Sequence, residues 1–282
     1  VTSIVIPAHN EARVIGRLLD ALLADPAEEA TDIVVVCNGC TDDTARVAAG
    51  RGPRVRVVEI PVPSKHTALR TGDDHARGFP RLYVDADVVL TGAGVRALAE
   101  PLADTASGVL ATAPVRRIPL AGCAWRVRAY YRVWQRLPAV REGLFGRGVI
   151  AVSAAGHARI AALPPLMADD LAASLAFAPG ERRVVGAAEV VVRPPRTWRD
   201  LINRRVRAAV STAQVEQRQG PAGASARTGV SDLAALLRAR PGLFASVAVF
   251  VAAAVVARRR AARAVRERDF DTWLRDDSSR QD

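Results

Sequence analysis

Lysine is almost missing from this 282-residue chain: Lys65 is the sole lysine among 40 basic residues. Arginine supplies the rest, so part of the sequence pI near 11.0 reflects an Ala- and Arg-rich compositional bias rather than a partner. Cysteine is scarce as well. Cys37, Cys40 and Cys123 cannot build a disulfide framework, and they favour a reducing compartment. Cys37 and Cys40 have C-x-x-C spacing, but with no second pair for zinc and no redox-motif context. Aromatic residues make up only 5% of the chain, and there is no zinc-finger spacing or RNP-type aromatic motif, so no nucleic-acid partner is expected. The stretch after the first apolar run, Pro7–Glu11, contains no glycine. That absence excludes a dinucleotide fingerprint, and it argues against a sugar-nucleotide pyrophosphorylase, where a Gly-rich, Arg- and Lys-bearing loop is expected. No internal repeat is present. The apolar pattern starts at Thr2–Ile6 with no charged, apolar and cleavage regions before it, so secretory export is not expected.

What is present points to an ordered, folded chain. Hydrophobic residues make up 50% of it, enough for one large core or one α/β domain with a helical appendix. Charge is unevenly distributed. Residues 1–100 carry 11 basic and 14 acidic side chains, a balance of −3, leaving 29 basic and 15 acidic, or +14, for the remainder. An acidic front and a basic rear suit a metal in front and an anionic lipid or nucleotide behind.

From residue 1 to about 113, β-rich runs alternate with helical periodicity, the pattern of βαβ units with a mainly parallel sheet. Ser3–Ile6, Ile33–Val36, Val55–Ile60 and Leu82–Val84 read as strands, and Val14, Ile15, Leu18, Leu19 and Leu22 as the apolar face of a helix that Asn10 would cap. Ligands in such sheets bind beyond the carboxyl ends of strands. Four polar clusters stand there: Pro7–Glu11, Cys37–Asp43, Pro61–Lys65 and Asp85–Asp87. Residues 114–216 read as a second half of the same domain, with helices, a Gly-rich stretch at Gly143–Gly148 and a β-rich run at Val184–Val192. Residues 217–230 read as a linker, and 231–282 as a helical segment. In that segment Leu243–Ala257 is apolar for about 15 residues, short of the roughly 20 needed to span a bilayer, and arginines follow it. It reads equally as a helix on the membrane surface or as one packed on the domain.

The sharpest chemical signal is Tyr83-Val84-Asp85-Ala86-Asp87. Two carboxylates one residue apart at a strand end suit Mg²⁺ or Mn²⁺, which take one or two carboxylates and complete their shell with substrate phosphates. Alone, the same pattern also describes a turn capped by carboxylates.

With these motifs in order, residues 1–215 resemble a family 2 inverting glycosyltransferase of the GT-A fold: an α/β nucleotide-diphospho-sugar transferase with a mainly parallel central sheet, here followed by the C-terminal helical segment. Val5-Ile6-Pro7-Ala8-His9-Asn10-Glu11 is similar to the family's first-strand signature, and Asn38-Gly39-Cys40-Thr41-Asp42-Asp43-Thr44 to its second. The resemblance implies that Pro7, Ala8 and Glu11 line the nucleoside pocket, with Glu11 on the ribose. It also implies that Asn38 meets the base, although the family often has an aspartate there. An amide pairs with a pyrimidine edge, so a UDP-sugar donor is the choice, with guanosine left open. Lys65, in Ser64–Gly72, resembles the family's cation near the nucleotide, against the alternative of a surface lysine. Asp87 and Asp85 would serve the metal, Asp87 by direct ligation and Asp85 through the ribose or a metal-bound water.

In Ala168-Asp169-Asp170-Leu171 the family's Glu-Asp pair reads as Asp169 and the catalytic base Asp170, unless the acids merely suit a helix N-terminus. Gly146 and Gly148 resemble the acceptor loop. Arg204 and Arg205 match the family's diphosphate-neutralising region only in part, without its Gln and Trp, and a solvated basic face is nearly as good an account. The expected enzyme is a metal-dependent glycosyltransferase of cell-envelope polysaccharide or glycolipid synthesis, cytoplasmic or peripheral on the inner face of the membrane. Its acceptor would be a lipid-linked sugar or a small metabolite. A nucleotide-sugar-binding or membrane scaffold without catalysis is the non-enzyme alternative.

Overall fold

The four apolar runs of the first hundred residues are parallel strands in a computed structural model of the chain. The structure describes residues 1–25, 31–163, 169–219 and 228–267, the side chains of 169–170, 211–219 and 264–267 excepted. The strands are β1 (Ser3–Ala8), β2 (Asp32–Asn38), β3 (Val55–Ile60) and β4 (Arg81–Val84). Helices α1 (Ile15–Leu23), α2 (Thr44–Ala49) and α3 (Lys65–His75) alternate with them. β1 and β2 are buried along their whole length, because a parallel sheet is covered on both faces, and so they read as unbroken apolar runs. Ile15, Leu18, Leu19 and Leu22 of α1 are fully buried in the core that contains Ile4, Ile6, Ile33 and Val35. Each such side chain contributes about 2 kcal/mol of transfer free energy.

The chain continues with α4 (Gly92–Ala103), β5 (Ala111–Arg117), α5 (Trp125–Trp134), α6 (Pro138–Glu142), β6 (Val149–Val152), α7 (Ala154–Ala161), α8 (Asp169–Leu175), β7 (Arg182–Val191), α9 (Trp198–Gln219), α10 (Val230–Ala239) and α11 (Phe244–Glu267). The seven strands form one sheet in the order β3-β2-β1-β4-β6-β5-β7, and β6 alone runs antiparallel to its neighbours. β5 and β6 carry little sequence signal: one holds Pro114, Arg116 and Arg117, and the other is four residues long.

Successive strands step outward from β1 to β3, and the chain then returns to place β4 on the other side of β1. Strand order therefore reverses between β1 and β4. Beyond their carboxyl ends lies the switch-point crevice where ligands of open α/β sheets bind.

Val1–Arg117, Leu144–Pro165 and Ala176–Val192 form one compact unit, which contains the sheet. The described residues within Ile118–Gly143, Leu166–Leu175 and Arg193–Asp282 form a second, helical unit. In the helical unit α11 packs on α5 and α9. Val247, Phe250, Ala253, Ala257 and Ala261 form its buried stripe, and the Phe250 ring stacks on Tyr130 with centroids 5.0 Å apart. The helix runs past the apolar stretch, and Pro241–Arg263 is long and apolar enough to cross a membrane by length and composition, with 28% of its 18-residue apolar window buried. Of the expected linker, residues 220–227 lie outside the described residues.

Candidate functional site

The β1 end is tied to the β2 end by side chains of the two signature segments. Asn38 is 4% exposed and its Nδ2 donates to the Ala8 carbonyl at 2.9 Å, while the His9 ring nitrogen Nδ1 lies 2.6 Å from the Asn38 carbonyl. The Asn38 amide thus fastens two loops, and a contact to a base would require that bond to be exchanged. Asn10 has φ 55°, a left-handed conformation that Asn tolerates because its short amide bonds locally. Its Oδ1 accepts from Thr41 N–H at 2.8 Å. Asn10 therefore braces the second loop and does not cap α1, whose N-cap is Val14 with no side-chain bond.

Glu11 is buried at the crevice edge, and its N–H donates to the Thr44 hydroxyl at 2.8 Å. Asp42 completes the strap. Burial opposes its ionisation, but donors from the Thr44 hydroxyl, Thr44 N–H and Ala12 N–H outweigh that cost and lower its pKa. Asp43 pairs outward with Arg46 at 2.6 Å. Gly39 has φ +59°, and a Cβ there would lie 2.8 Å from the backbone nitrogen of Pro63, so only glycine lets the β3–α3 loop lie against this one.

The β4 end brings three expected residues together. Lys65 opens α3, whose cap is Ser64 accepting from Thr67 N–H at 3.2 Å, and Lys65 Nζ donates to Asp85 Oδ1 at 2.7 Å. Both side chains are open to solvent, 45% and 39% exposed, so the pair faces the crevice. Behind it, Asp85 N–H donates to the Gly148 carbonyl at 2.8 Å. Gly148 has φ +68°, and a Cβ there would sit 2.5 Å from Val88 Cγ1 and 3.4 Å from Asp85 Oδ2. Asp87 is exposed two residues on, while Ala86 and Val88 turn into the core.

No cluster of three or more His, Cys, Asp or Glu side chains suited to a metal occurs among the described residues. Two carboxylates with phosphate and water oxygens is nevertheless a normal shell for Mg²⁺ or Mn²⁺, so Asp85 and Asp87 fit one.

Gly146 is also left-handed, with φ +64°, and its carbonyl accepts from Arg116 Nη1 at 3.2 Å. Between the two glycines, Arg147 is 3% exposed and donates to the Pro114 carbonyl at 2.8 Å, and burial pulls its pKa down to about 10. The sequence reading did not single out this arginine. A Gly-Arg-Gly in an otherwise apolar setting was the available signal.

Also unanticipated is a polar cluster beneath the Asp85 face of β4. Asp73 Oδ1 accepts from Tyr83 OH at 2.8 Å and from Arg81 Nη1 at 2.9 Å, and His157 Nδ1 lies 2.8 Å from the Tyr83 oxygen. Tyr83 and Asp85 alternate onto the same sheet face, so α3 is held to β4 at both ends.

The remaining expected residues belong to the helical unit. Arg204 Nη1 donates to the Arg193 carbonyl at 3.2 Å, and Arg205 stands 5.9 Å over the Tyr130 ring. Their described contacts are thus structural ones within that unit. α8 begins at Asp169, and the side chains of Asp169 and Asp170 lie outside the described residues.

Comparison with known proteins places this geometry. Residues 3–160, more than half the chain, match the glycosyl transferase family 2 model. Over 97 residues the chain is 34% identical to a dolichyl-phosphate beta-glucosyltransferase of Trichomonas vaginalis, a match covering 30% of this chain and 29% of that protein. Over 90 residues it is 37% identical to a 4,4'-diaponeurosporenoate glycosyltransferase of Staphylococcus aureus, covering 30% and 24%. The chain therefore aligns with under a third of these relatives' length.

Among solved structures, a mannosyltransferase of Pyrobaculum calidifontis in complex with GDP-Man and Mn²⁺ superposes with TM-score 0.60 at 21% identity, covering 97% of this chain and 83% of that one. Glucosyl-3-phosphoglycerate synthase of Mycobacterium tuberculosis, in complex with Mn²⁺, UDP-glucose and phosphoglyceric acid, gives 0.57 at 21%, covering 78% and 80%. These likenesses fix the fold as the GT-A glycosyltransferase type, with its mainly parallel mixed sheet. With the first two signature segments strapped together at the switch point and the paired aspartates beside them, the chain belongs to glycosyl transferase family 2.

Proposed function

We propose that the chain transfers a hexosyl group from a nucleoside diphosphate sugar, UDP-sugar by preference, to an acceptor hydroxyl with inversion. The observation that carries this reading is the Lys65–Asp85 contact at 2.7 Å, backed by Gly148, at the carboxyl end of β4. It sets a cation and carboxylates side by side where a diphosphate and its metal would lie. Pro7, Ala8 and Glu11 border the nucleoside side, with Glu11 accepting from ribose hydroxyls and Asn38 beneath the base. Asp87 and Asp85 would hold Mg²⁺ or Mn²⁺, which supplies Lewis-acid stabilisation of the departing diphosphate. Lys65 Nζ turns to the diphosphate as charge builds on it.

Asp170 takes the proton of the acceptor hydroxyl as its oxygen bonds to the anomeric carbon and the bond to the diphosphate oxygen breaks, a single displacement that inverts configuration. Asp169, Gly146 and Gly148 shape the acceptor side, and Arg204 and Arg205 add positive charge. The acceptor is a lipid-linked sugar or a small metabolite. The setting is cytoplasmic, at the inner face of the membrane, in cell-envelope polysaccharide or glycolipid synthesis.

The test is nucleoside diphosphate release from a panel of nucleotide sugars with Mn²⁺. Asp87→Ala should abolish metal-dependent donor binding, and Asp170→Asn should keep binding and remove turnover. The opposite pattern overturns the roles, and binding without turnover by the unaltered chain for every donor favours a scaffold.

A further inference from the structure

We infer that α11 docks flat on an anionic bilayer surface through its outer face, without crossing the membrane. The inference sharpens the inner-face placement proposed above, and it rests on residues that take no part in the donor site. The helix is two-sided. Its inner stripe, Val247, Phe250, Ala253, Ala257 and Ala261, is buried in the helical unit, with Phe250 stacked on Tyr130.

The outer stripe follows the i, i+4, i+7, i+11 spacing of one helix face: Phe244, Ala248, Val251 and Val255. Phe244 is 71% exposed, Val251 42% and Val255 41%, three large apolar side chains in line where a solvated helix would carry polar ones. One turn further, exposed Arg258 and Arg259 flank the continuation of that stripe, whereas exposed Arg260 points toward the other side of the helix, next to the buried Ala253 and Ala257. An apolar stripe beside a cluster of arginines complements acyl chains beside anionic headgroups.

Pro241–Arg263 meets a span's length and composition only by including its arginines; the uncharged helix from Phe244 to Ala257 rises only ~20 Å before they begin, against a hydrocarbon core of about 30 Å, so surface docking fits better than spanning. Insertion would also strip the inner stripe from α5 and α9.

The experiment is co-sedimentation of the full chain with phosphatidylcholine vesicles, with and without phosphatidylglycerol. Binding is expected to the anionic vesicles only, with release in ~1 M NaCl, where the Debye length falls to about 3 Å. Val251→Asp with Val255→Asp should abolish binding. Arg258→Gln and Arg259→Gln should each lower the partition coefficient by about fivefold, the equivalent of about 1 kcal/mol per juxtamembrane arginine, while Arg260→Gln, on the other side of the helix, should change it less. Circular dichroism and melting temperature should be unchanged in these outer-face variants, and so should nucleoside diphosphate release with a water-soluble acceptor. Failure of vesicle binding with turnover intact refutes this inference alone, whereas failure of turnover with vesicle binding intact refutes the catalytic reading alone. Equal binding to neutral vesicles, retention after alkaline carbonate extraction, or a dimer dissociated by the Val251 and Val255 changes would overturn it in favour of no electrostatic docking, a spanning helix or a second copy, respectively.

Discussion

Replacing Lys65 by Met separates a binding lysine from a structural one. In the folded chain Lys65 Nζ meets Asp85 Oδ1 at 2.7 Å, but both side chains are more than a third exposed. Such a pair contributes roughly 0–1 kcal/mol once solvent screening is counted. In a domain of this size that is a melting shift of no more than ~4 °C. Against a bound diphosphate the same ammonium makes a charge-assisted hydrogen bond worth about 1.5–3 kcal/mol, which corresponds to a ~10- to 150-fold loss of donor affinity. Lys65→Met should therefore leave the melting curve almost where it was and weaken donor binding by one to two orders of magnitude, measured by calorimetry with Mn²⁺ and a UDP-sugar. Lys65→Arg should recover only part of that, because a planar guanidinium does not replace a compact ammonium. A double-mutant cycle with Asp85→Asn would expose the coupling between the two residues. A Lys65→Met protein that melts more than ~8 °C lower with donor affinity untouched would refute the argument and make Lys65 a clamp of α3.

Two further substitutions probe the scaffold around that pair. Gly148→Ala forces a side chain into the left-handed region and to within 2.5 Å of Val88, so it should cost about 2–4 kcal/mol and weaken Mn²⁺ binding by displacing Asp85, read by thermal melting and metal titration. Asp42→Ala leaves Thr44 N–H and Ala12 N–H without their carboxylate. It should destabilise the chain by about 1–2 kcal/mol, and the loss should shrink in acid, since a carboxylate with lowered pKa stabilises above its unfolded value of 3.8 and ceases to as pH falls through the folded one.

Sequence reading reached what is written locally. β1 and β2 show as apolar runs because both sheet faces are covered, and the half-buried edge strand β3 still shows through its valines, so the strand-end positions of Glu11, Lys65, Asp85 and Asp87 can be read from the pattern, while the roles proposed for them come from the family resemblance. Asn10 was misassigned as a cap because capping statistics are local, whereas its left-handed backbone answers to Thr41, 31 residues away. β5 and β6 stayed hidden because polar and short strands show no period, and sheet membership is decided by partners distant in sequence. Arg147 and the Asp73 cluster were invisible for the same reason: Tyr83 and His157 meet across 74 residues. The membrane-surface and packed-helix readings of α11 were opposed in the sequence, yet the structure shows that one face matches the packed reading and the other is exposed.

That hidden cluster yields a pH dependence with a definite sign. Tyr83 O–H donates a hydrogen bond to Asp73 Oδ1 at 2.8 Å, so on this assignment His157 donates from Nδ1 to the Tyr83 oxygen and needs only the neutral ring. Burial lowers the His157 pKa below 6.5. Asp73, 3.8 Å away, pulls it upward, and the positive charges of Arg81 and Arg70 add to the lowering. An unfolded chain therefore takes up the proton before the folded one does, and stability must rise with pH across this titration. The contribution is full above pH 6.5 and is lost as pH falls through the folded value. Its slope is bounded by one proton, about 1.4 kcal/mol per pH unit. His157→Gln keeps a donor for Tyr83 without a titrating ring, so its melting temperature should vary less between pH 7.5 and 5.5 than that of the unaltered chain, a comparison in which only this proton is at issue. Because Tyr83 lies two residues before Asp85 on the same sheet face, and Asp73 is on the helix that Lys65 opens, the acid-induced loosening should be accompanied by weaker donor binding. An identical pH response in the two proteins would show that His157 binds its proton equally well folded and unfolded and that the cluster does not set the position of α3.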